Sequence, residues 1–323
     1  MQVRAFARAL LMLAAFWPAI ALSQTYPTRP ITLVAPYSAG SGIDILSRVL
    51  AERIGARLKQ PIIVDNRPGA GGNLGAGYVA KASPDGYTLL VTGNSFSVAP
   101  ALYKSLPFDP LKDFTHIAEV ATGSMALVVN PKVLPVKNLD ELKAAALKNP
   151  GKLNYSSAGI GTPHHLGMEL LKRQLGVDIV HVPYSGATGA LNDLLAGHVQ
   201  LAMFPVNVVL PYAKDGQLRV IAVSGKGRSQ LAPQAPTFEE AGLKDLDIDL
   251  YYFISGPAKL PAAITARLNS EIVAALKEPD LQSRLLQLGL VPQSSTANAL
   301  TSLIGEDVER WKAFIKAAHI TAE

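Results

Sequence analysis

Two glycine-rich turns carry the residues whose chemistry is most informative. The first, residues 37–42 (YSAGSG), follows a short apolar strand and precedes a helix whose start fits a capping box of Ser41 and Asp44. The second, residues 156–162 (SSAGIGT), has similar surroundings, with Thr162 as N-cap and Pro163 as the first helical residue. Each turn offers unpaired N–H groups, hydroxyls and the positive end of a helix dipole. The pair predicts an anion site that needs no basic side chain.

Two further segments lie at strand ends and admit two interpretations. Residues 94–97 (NSFS) follow the third strand, and residues 184–189 (YSGATG) precede a helix that Ser185 or Thr188 would cap. Either these segments line a ligand cleft together with the two glycine-rich turns, or their polar residues only form hydrogen bonds within their own turns. With these segments included, the predicted ligand-binding residues are Tyr37, Ser38, Ser41, Gly42, Asn94, Ser95, Phe96, Ser156, Ser157, Gly161, Thr162, His164, Tyr184, Ala187, Pro205 and Asn207.

Metal-dependent and enzymatic chemistry find little support in the sequence. His165 and Glu169 have the i, i+4 spacing of metal ligands, but a metal site needs a third ligand and none lies nearby in sequence. His164 is better interpreted as a hydrogen-bond donor to the ligand or as a solvated residue. The nucleophile elbow, zinc-protease and P-loop motifs are absent, and residues 69–74 (GAGGNL) lack the third glycine of a dinucleotide fingerprint. We therefore expect no catalytic activity, metal or cofactor.

The elements that position these turns alternate between strand and helix. Residues 30–92 indicate strand, helix, strand, helix, strand, and residues 127–223 repeat that pattern. This alternation predicts two α/β lobes with mostly parallel sheets. Helical stripes follow from Pro261 onward and would cover the first lobe. We expect residues 24–125 and 250–323 to form lobe 1 and residues 126–249 to form lobe 2. The chain would then cross twice between lobes, which favours a hinge.

The N-terminus predicts export. Arg4 and Arg8 precede an apolar stretch from Ala9 to Leu22, and a small-residue cleavage site ends near Ser23. A membrane anchor is the alternative, but the stretch is short for a spanning helix and Pro18 interrupts it. We therefore expect residues 1–23 to be a cleaved signal peptide and the mature protein to be periplasmic.

The amino-acid composition limits the kinds of partner that this protein is expected to bind. Hydrophobic residues make up 49% of the chain, which is enough for a core without disulfides, and the chain has no cysteine. Lys plus Arg total 30 and Asp plus Glu total 25, so the mature chain, without Arg4 and Arg8, keeps 28 against 25. No basic run indicates nucleic acid or an anionic membrane surface. We expect a monomer that takes a small anionic ligand.

Six short motifs are spread over the chain from about Tyr26 to its end. They are residues 26–31 (YPTRPI), 64–73 (VDNRPGAGGN), 83–90 (SPDGYTLL), 150–155 (PGKLNY), 181–184 (HVPY) and 236–242 (PTFEEAG). In this combination they resemble a known family, the Bug receptors of tripartite tricarboxylate transporters.

The resemblance implies a two-lobe periplasmic-binding-protein-like (type II) α/β fold that closes over a small organic acid. It implies carboxylate capture on the turns at residues 37–42 and 156–164 and delivery to membrane permease subunits. We further expect Tyr37, Phe96 and Tyr184 to select the shape of the ligand. A sensory accessory protein with the same fold and ligand is the alternative, and a periplasmic enzyme a more distant one.

This chain departs from the family pattern at two positions. It has Ala39-Gly40-Ser41 where the family usually has Pro-Gly-Gly, and Pro205 where Asp is frequent. The absence of that Asp leads us to expect a plain carboxylate ligand and not an amino acid.

Overall fold

The computed structural model describes residues 26–244 and 246–321. The predicted signal peptide, residues 1–23, lies outside the described residues. Within the two described ranges, no helix is both long and apolar enough to cross a membrane.

Strands and helices alternate along most of the described chain. The strands are β1 Ile31–Ala35, β2 Ile62–Asn66, β3 Thr88–Gly93, β4 Phe114–Gly123, β5 Met125–Val129, β6 Asn154–Ser157, β7 Val180–Pro183, β8 Leu201–Pro205, β9 Arg219–Val223, β10 Leu250–Pro257 and β11 Val291–Pro292. The helices are α1 Gly42–Leu58, α2 Asn73–Ala80, α3 Ser95–Leu102, α4 Leu139–Lys148, α5 Pro163–Leu175, α6 Ala187–Ala196, α7 Val206–Lys214, α8 Ala262–Ala275, α9 Pro279–Gln287 and α10 Ala297–Ala317.

The strands form two separate mixed sheets. The first has the order β11-β4-β10-β3-β1-β2 and the second the order β7-β6-β8-β5-β9. Pairing is parallel among β1, β2 and β3 and among β6, β7 and β8, whereas β4, β5 and β10 pair antiparallel with their neighbours. The expectation of mostly parallel sheets is therefore wrong. β4 and β10 were not recognised as strands, and β4 buries His116 and Glu119 within what would otherwise be an apolar run.

Local sequence explains where the two helices after the glycine turns begin and end. Ser41 caps α1 and its hydroxyl accepts a hydrogen bond from the Asp44 nitrogen, as predicted. Thr162 is the N-cap of α5 and Pro163 its first residue, and α5 ends at Gly176 in the left-handed conformation. The N-cap of α6 is Gly186, so the predicted Ser185 or Thr188 cap is wrong.

Helices cover both faces of the first sheet. Buried apolar residues of α1, α8 and α9 pack with β1, β3 and β4 on one face, and an aromatic cluster around Phe253 occupies the other. The end of α10 does more than cover this sheet, because Trp311 and Ile315 pack with the core of the second sheet. The two sheets thus share an apolar contact along α10.

The chain crosses between the sheets twice. Ser124 alone separates β4 in the first sheet from β5 in the second, and β10 returns the chain to the first sheet after β9. Tyr252, on the returning strand, packs against the cores of both sheets.

Candidate functional site

The turn after β1 is held in place by the carboxylate of Asp44. The Gly40 main-chain nitrogen donates to Asp44 Oδ2 at 2.8 Å, and Gly40 has a φ of 81°. Asn66 and Arg48 also donate to this carboxylate, at 3.0 and 3.2 Å. The hydrogen bond from Arg48 is the largest influence that lowers the pKa of Asp44. The turn thus has a buried, ionised acid directly behind it.

The turn after β6 has the same geometry with a different supporting group. The Gly161 nitrogen donates to His165 Nδ1 at 3.0 Å, and Gly161 has a φ of 76°. Gly161 precedes the N-cap of α5 as Gly40 precedes that of α1, and His165 occupies the third helical position as Asp44 does. The two lobes therefore build their turns in the same way around an acid in one case and an imidazole in the other.

Each of the two helix starts leaves two main-chain N–H groups open, but at different helical positions. The Ser41 hydroxyl accepts from Asp44, so Gly42 and Ile43 are the unpaired N–H groups of α1. The Thr162 hydroxyl instead donates to the Gly159 oxygen at 2.7 Å and caps nothing. In the described chain, the N–H groups of both His164 and His165 lack a partner. The start of α5 thus leaves as many open N–H groups as that of α1, with His164 and His165 in place of Gly42 and Ile43 because Pro163 has no N–H.

His164 is an unusual residue at the start of α5. Both of its ring nitrogens are buried, and neither has a hydrogen-bond partner within the described residues. Its ring stands edge-on to Phe204 at 4.9 Å between centroids. Burial lowers the pKa of His164 to about 4, so at neutral pH the ring has one N–H donor and one acceptor. A buried donor without a partner costs about 1–3 kcal/mol, which a ligand oxygen would offset.

Helix α3 connects the two turns. At its start, the Ser95 hydroxyl is hydrogen bonded to the Tyr37 hydroxyl at 2.9 Å, and Tyr37 also donates to the Gly71 oxygen at 3.1 Å. At its end, Leu102 lies against Gly161, where a Cβ on the glycine would be 2.0 Å from Leu102 Cδ1. Seven residues of helix rise roughly 10 Å. The two turns thus stand at opposite ends of a short helix, a spacing that suits a small ligand.

Several predicted ligand residues lie elsewhere. Phe96 is 4% exposed and packs among Phe108, Phe114 and Phe253, so the expectation that its ring selects ligand shape is corrected. Asn207 donates to the Leu288 oxygen at 2.8 Å, which is a contact between α7 and the end of α9. Phe96 thus belongs to the core of the first sheet, whereas a ligand contact of Asn207 stays a prediction.

Three other predicted polar groups are also used internally. Ser156 is fully buried and donates to the Ala190 oxygen at 3.0 Å, and Ser157 hydrogen bonds His181 Nε2 at 2.7 Å. Asn94 is buried and donates to the Asp249 oxygen at 3.3 Å. These side chains hydrogen bond to neighbouring elements of the fold, and their contact with a ligand stays a prediction.

The remaining predicted residues lie at the ends of strands and starts of helices. Ser38 is exposed in the first turn, Pro205 ends β8 directly after Phe204, and exposed Ala187 begins α6. The Tyr184 hydroxyl donates to Asp193. Pro205 has a φ of −53° and occupies the N-cap of α7. Ser38 and Ala187 are exposed, whereas Tyr184 and Pro205 are half-buried and also have the structural contacts just described.

Sequence reasoning missed Tyr252. This residue lies on β10, packs against both cores, and stands close enough to Tyr37 for the two phenols to influence each other. Burial, followed by the neighbouring Tyr37, raises the pKa of Tyr252 to about 12. Tyr252 could have been found from the sequence if residues 250–257 had been recognised as the strand that returns to the first sheet.

His165 and Glu169, which have the spacing of metal ligands, are hydrogen bonded to other residues of the fold. His165 accepts from Gly161, and Glu169 accepts hydrogen bonds from Tyr155 at 2.6 Å and Lys172 at 2.7 Å. Among residues 26–244 and 246–321, no group of three His, Cys, Asp or Glu residues is placed to hold a metal ion.

The chain forms two mixed β-sheets with helices packed on them, and it crosses between the sheets twice. This architecture is that of a periplasmic-binding-protein-like fold. Solved structures agree. The periplasmic binding protein BugD is 32% identical with a TM-score of 0.78, covering 91% of this chain and 99% of that one. Rpa4515 of R. palustris, solved with adipate, is 31% identical with a TM-score of 0.80 and coverage of 91% and 99%. MatC of Rhodopseudomonas palustris, solved with bound malate, is 32% identical with a TM-score of 0.76 and coverage of 89% and 99%.

The family assignment follows from the sequence match. Residues 46–320 match the profile of the tripartite tricarboxylate transporter family receptor. The chain belongs to this family of solute-binding receptors, as the motifs predicted.

Proposed function

We propose that the mature protein is a monomeric periplasmic receptor that captures a small organic carboxylate between its lobes and delivers it to membrane permease subunits without chemical change. Lobe 1 comprises residues 24–125 and 250–323, and lobe 2 comprises residues 126–249. The signal peptide ends near Ser23. Ligand binding shifts the protein toward a closed form, to the extent that the ligand binds that form more tightly.

The observation that carries the proposal is the start of α5. His164 has two buried ring nitrogens without partners, and the N–H groups of His164 and His165 are also unpaired in the described chain. A carboxylate placed here would accept from the imidazole N–H and from main-chain N–H groups at the positive end of the helix dipole. The relatives solved with adipate and malate support a carboxylic acid as the ligand.

The start of α1 is the proposed second contact. Its open N–H groups belong to Gly42 and Ile43, and the ionised Asp44 lies directly behind them. That charge weakens the attraction of a second carboxylate, although Arg48 compensates part of it. We therefore assign the first carboxylate to lobe 2 and a weaker polar contact to lobe 1, with Tyr37, Ser95 and Tyr252 facing the middle of the ligand.

Thermal stability in the presence of acids tests the proposal. The purified mature protein is melted with mono-, di- and tricarboxylic acids, aromatic acids and amino acids. A ligand at a hundred times its dissociation constant adds about 2.7 kcal/mol to the unfolding free energy. We expect carboxylic acids without an amino group to raise Tm. If no acid raises Tm in protein refolded free of co-purified ligand, the carboxylate assignment is wrong.

A further inference from the structure

Three aromatic rings are stacked behind the turn at residues 157–161. His181 lies in the middle, 4.1 Å from the His165 ring and 4.7 Å from the Tyr155 ring, with interplanar angles of 12° and 14°. The rings come from α5, β7 and β6. Glu169 accepts from the Tyr155 hydroxyl and from Lys172, which attaches the stack to α5. The stack is thus a rigid support and not a loose set of side chains.

The two imidazoles hold opposite ends of the turn. His165 Nδ1 accepts from the Gly161 nitrogen at 3.0 Å, and His181 Nε2 is hydrogen bonded to the Ser157 hydroxyl at 2.7 Å. The Ser157 hydroxyl lies 3.2 Å from both the nitrogen and the oxygen of Gly159 within the turn. Ser157, Gly159 and Gly161 are therefore each held by a side-chain hydrogen bond within this support.

The supporting group of lobe 2 is neutral, unlike that of lobe 1. His165 Nδ1 accepts an N–H and so carries no proton. Burial is the main cause that lowers the pKa of His165 to about 4, with His181 and Lys172 adding to the effect and Glu169 opposing it. At the matching position of lobe 1, Asp44 is ionised. A neutral support leaves the positive end of α5 available to an anion.

We propose that His165 and His181 are positioning residues that preform the lobe 2 turn, and that His165 does so without placing a negative charge beside the bound carboxylate. This inference rests on the proposed function for its second half only. The first half concerns the ligand-free protein and is tested separately.

Three substitutions of His165 separate geometry from charge. His165→Phe keeps the ring stack but removes the acceptor for Gly161. His165→Asn keeps a neutral acceptor close to the position of Nδ1. His165→Asp keeps an acceptor and adds the charge that Asp44 has in lobe 1. His181→Phe is the matching change at the Ser157 end of the turn.

The first measurement is amide hydrogen exchange of Gly161, followed by NMR in the ligand-free protein. We expect about tenfold faster exchange in His165→Phe, the effect of one lost hydrogen bond, and near-wild-type exchange in the Asn and Asp variants. Unchanged protection in His165→Phe overturns the positioning role, whether or not the protein binds any acid. If His165→Phe does not fold, the same measurement is made on His165→Leu, which also lacks an acceptor, and unchanged protection of Gly161 in that variant has the same consequence.

The second measurement is calorimetric affinity for malate and adipate. We expect His165→Asn to bind the better of the two nearly as well as the wild type, and His165→Asp to bind it at least about tenfold more weakly despite its protected turn. Equal affinity in the Asn and Asp variants overturns the charge argument. Failure of the wild type to bind either acid would count against the proposed function, while the exchange data still decide the positioning role.

Discussion

The Gly161 nitrogen lies 3.0 Å from His165 Nδ1, and this contact has a counterpart in the other lobe, where the Gly40 nitrogen lies 2.8 Å from Asp44 Oδ2. Both glycines have positive φ angles, 76° and 81°, and both supporting side chains occupy the third position of the following helix. The shared geometry means that corresponding substitutions in the two lobes can serve as controls for one another.

Gly161→Ala is expected to destabilise the protein more than Gly40→Ala. Both changes place a side chain at positive φ, which costs about 1–2 kcal/mol. A Cβ at Gly40 would meet nothing within 4 Å, whereas one at Gly161 would lie 2.0, 3.2 and 3.4 Å from three side-chain atoms of Leu102. The clash should add about 1–3 kcal/mol and push α3 away from the lobe 2 turn.

Denaturant unfolding measures the cost of each glycine substitution, and small-angle scattering measures separation of the lobes. We expect a larger radius of gyration for Gly161→Ala alone. Equal losses of stability in the two variants would show that the contact with Leu102 is not tight in solution.

His164→Phe is expected to weaken acid binding without loss of stability. Phenylalanine keeps the edge-on contact with Phe204 and removes two buried nitrogens that have no partner in the described chain. The unfolding free energy should therefore stay within about 1 kcal/mol of wild type or rise. Affinity for the bound acid should fall at least about tenfold, because the donor to the carboxylate is lost.

Calorimetry and thermal melting check the His164 prediction, with His164→Gln as the variant that keeps an N–H donor. Wild-type affinity in His164→Phe would remove this residue from the ligand site. A large loss of stability would instead show that its nitrogens have partners in the free protein.

Pro205→Asp is expected to change ligand preference toward amino acids. Pro205 follows Phe204, the neighbour of the His164 ring, and caps α7, a position that aspartate also favours. The new carboxylate would repel a plain diacid and attract a ligand ammonium group. Thermal shifts with malate and with aspartate measure this change in ligand preference. Pro205→Asn controls for the loss of proline. Unchanged shifts for both acids would mean that position 205 does not face the ligand.

Glu119→Gln is expected to stabilise the protein at alkaline pH. Glu119 is 8% exposed, and burial raises its pKa to about 7 from the ordinary 4.5. Between these values the folded protein holds a proton that the unfolded chain has released, so stability falls as pH rises through this window. Glutamine removes this penalty, which reaches about 3 kcal/mol at pH 8 and is about 1 kcal/mol at pH 5.

Urea unfolding of Glu119→Gln at pH 5 and pH 8 measures the difference. Glu309→Gln is the control, because the Glu309 side chain is 73% exposed and should have the same stability as wild type at both values. An equal effect of Glu119→Gln at the two pH values would show that Glu119 is not protonated in the folded protein near neutrality.

Local sequence predicted the parts of the site that depend on residues a few positions apart. The Ser41 cap with Asp44, the Thr162 and Pro163 start of α5, and the glycine turns before them are confirmed. Caps are formed by hydrogen bonds between neighbours in the chain, so the residue types and their spacing contain the information. The two-lobe architecture and the receptor family were likewise predicted, the family from its motifs.

Only the tertiary structure decided which groups remain open to a ligand. The Thr162 hydroxyl turns to Gly159, Phe96 enters an aromatic core, and Tyr252 reaches the space between the cores on a strand that was not predicted. Local spacing cannot show this, because each outcome depends on partners distant in sequence or on competition between two nearby acceptors. By itself, the sequence determined the two glycine-rich turns and the starts of α1 and α5. The packing of α5 against Phe204 of β8 left the His164 ring nitrogens buried without a partner in the described chain, and burial of this kind depends on elements distant in sequence.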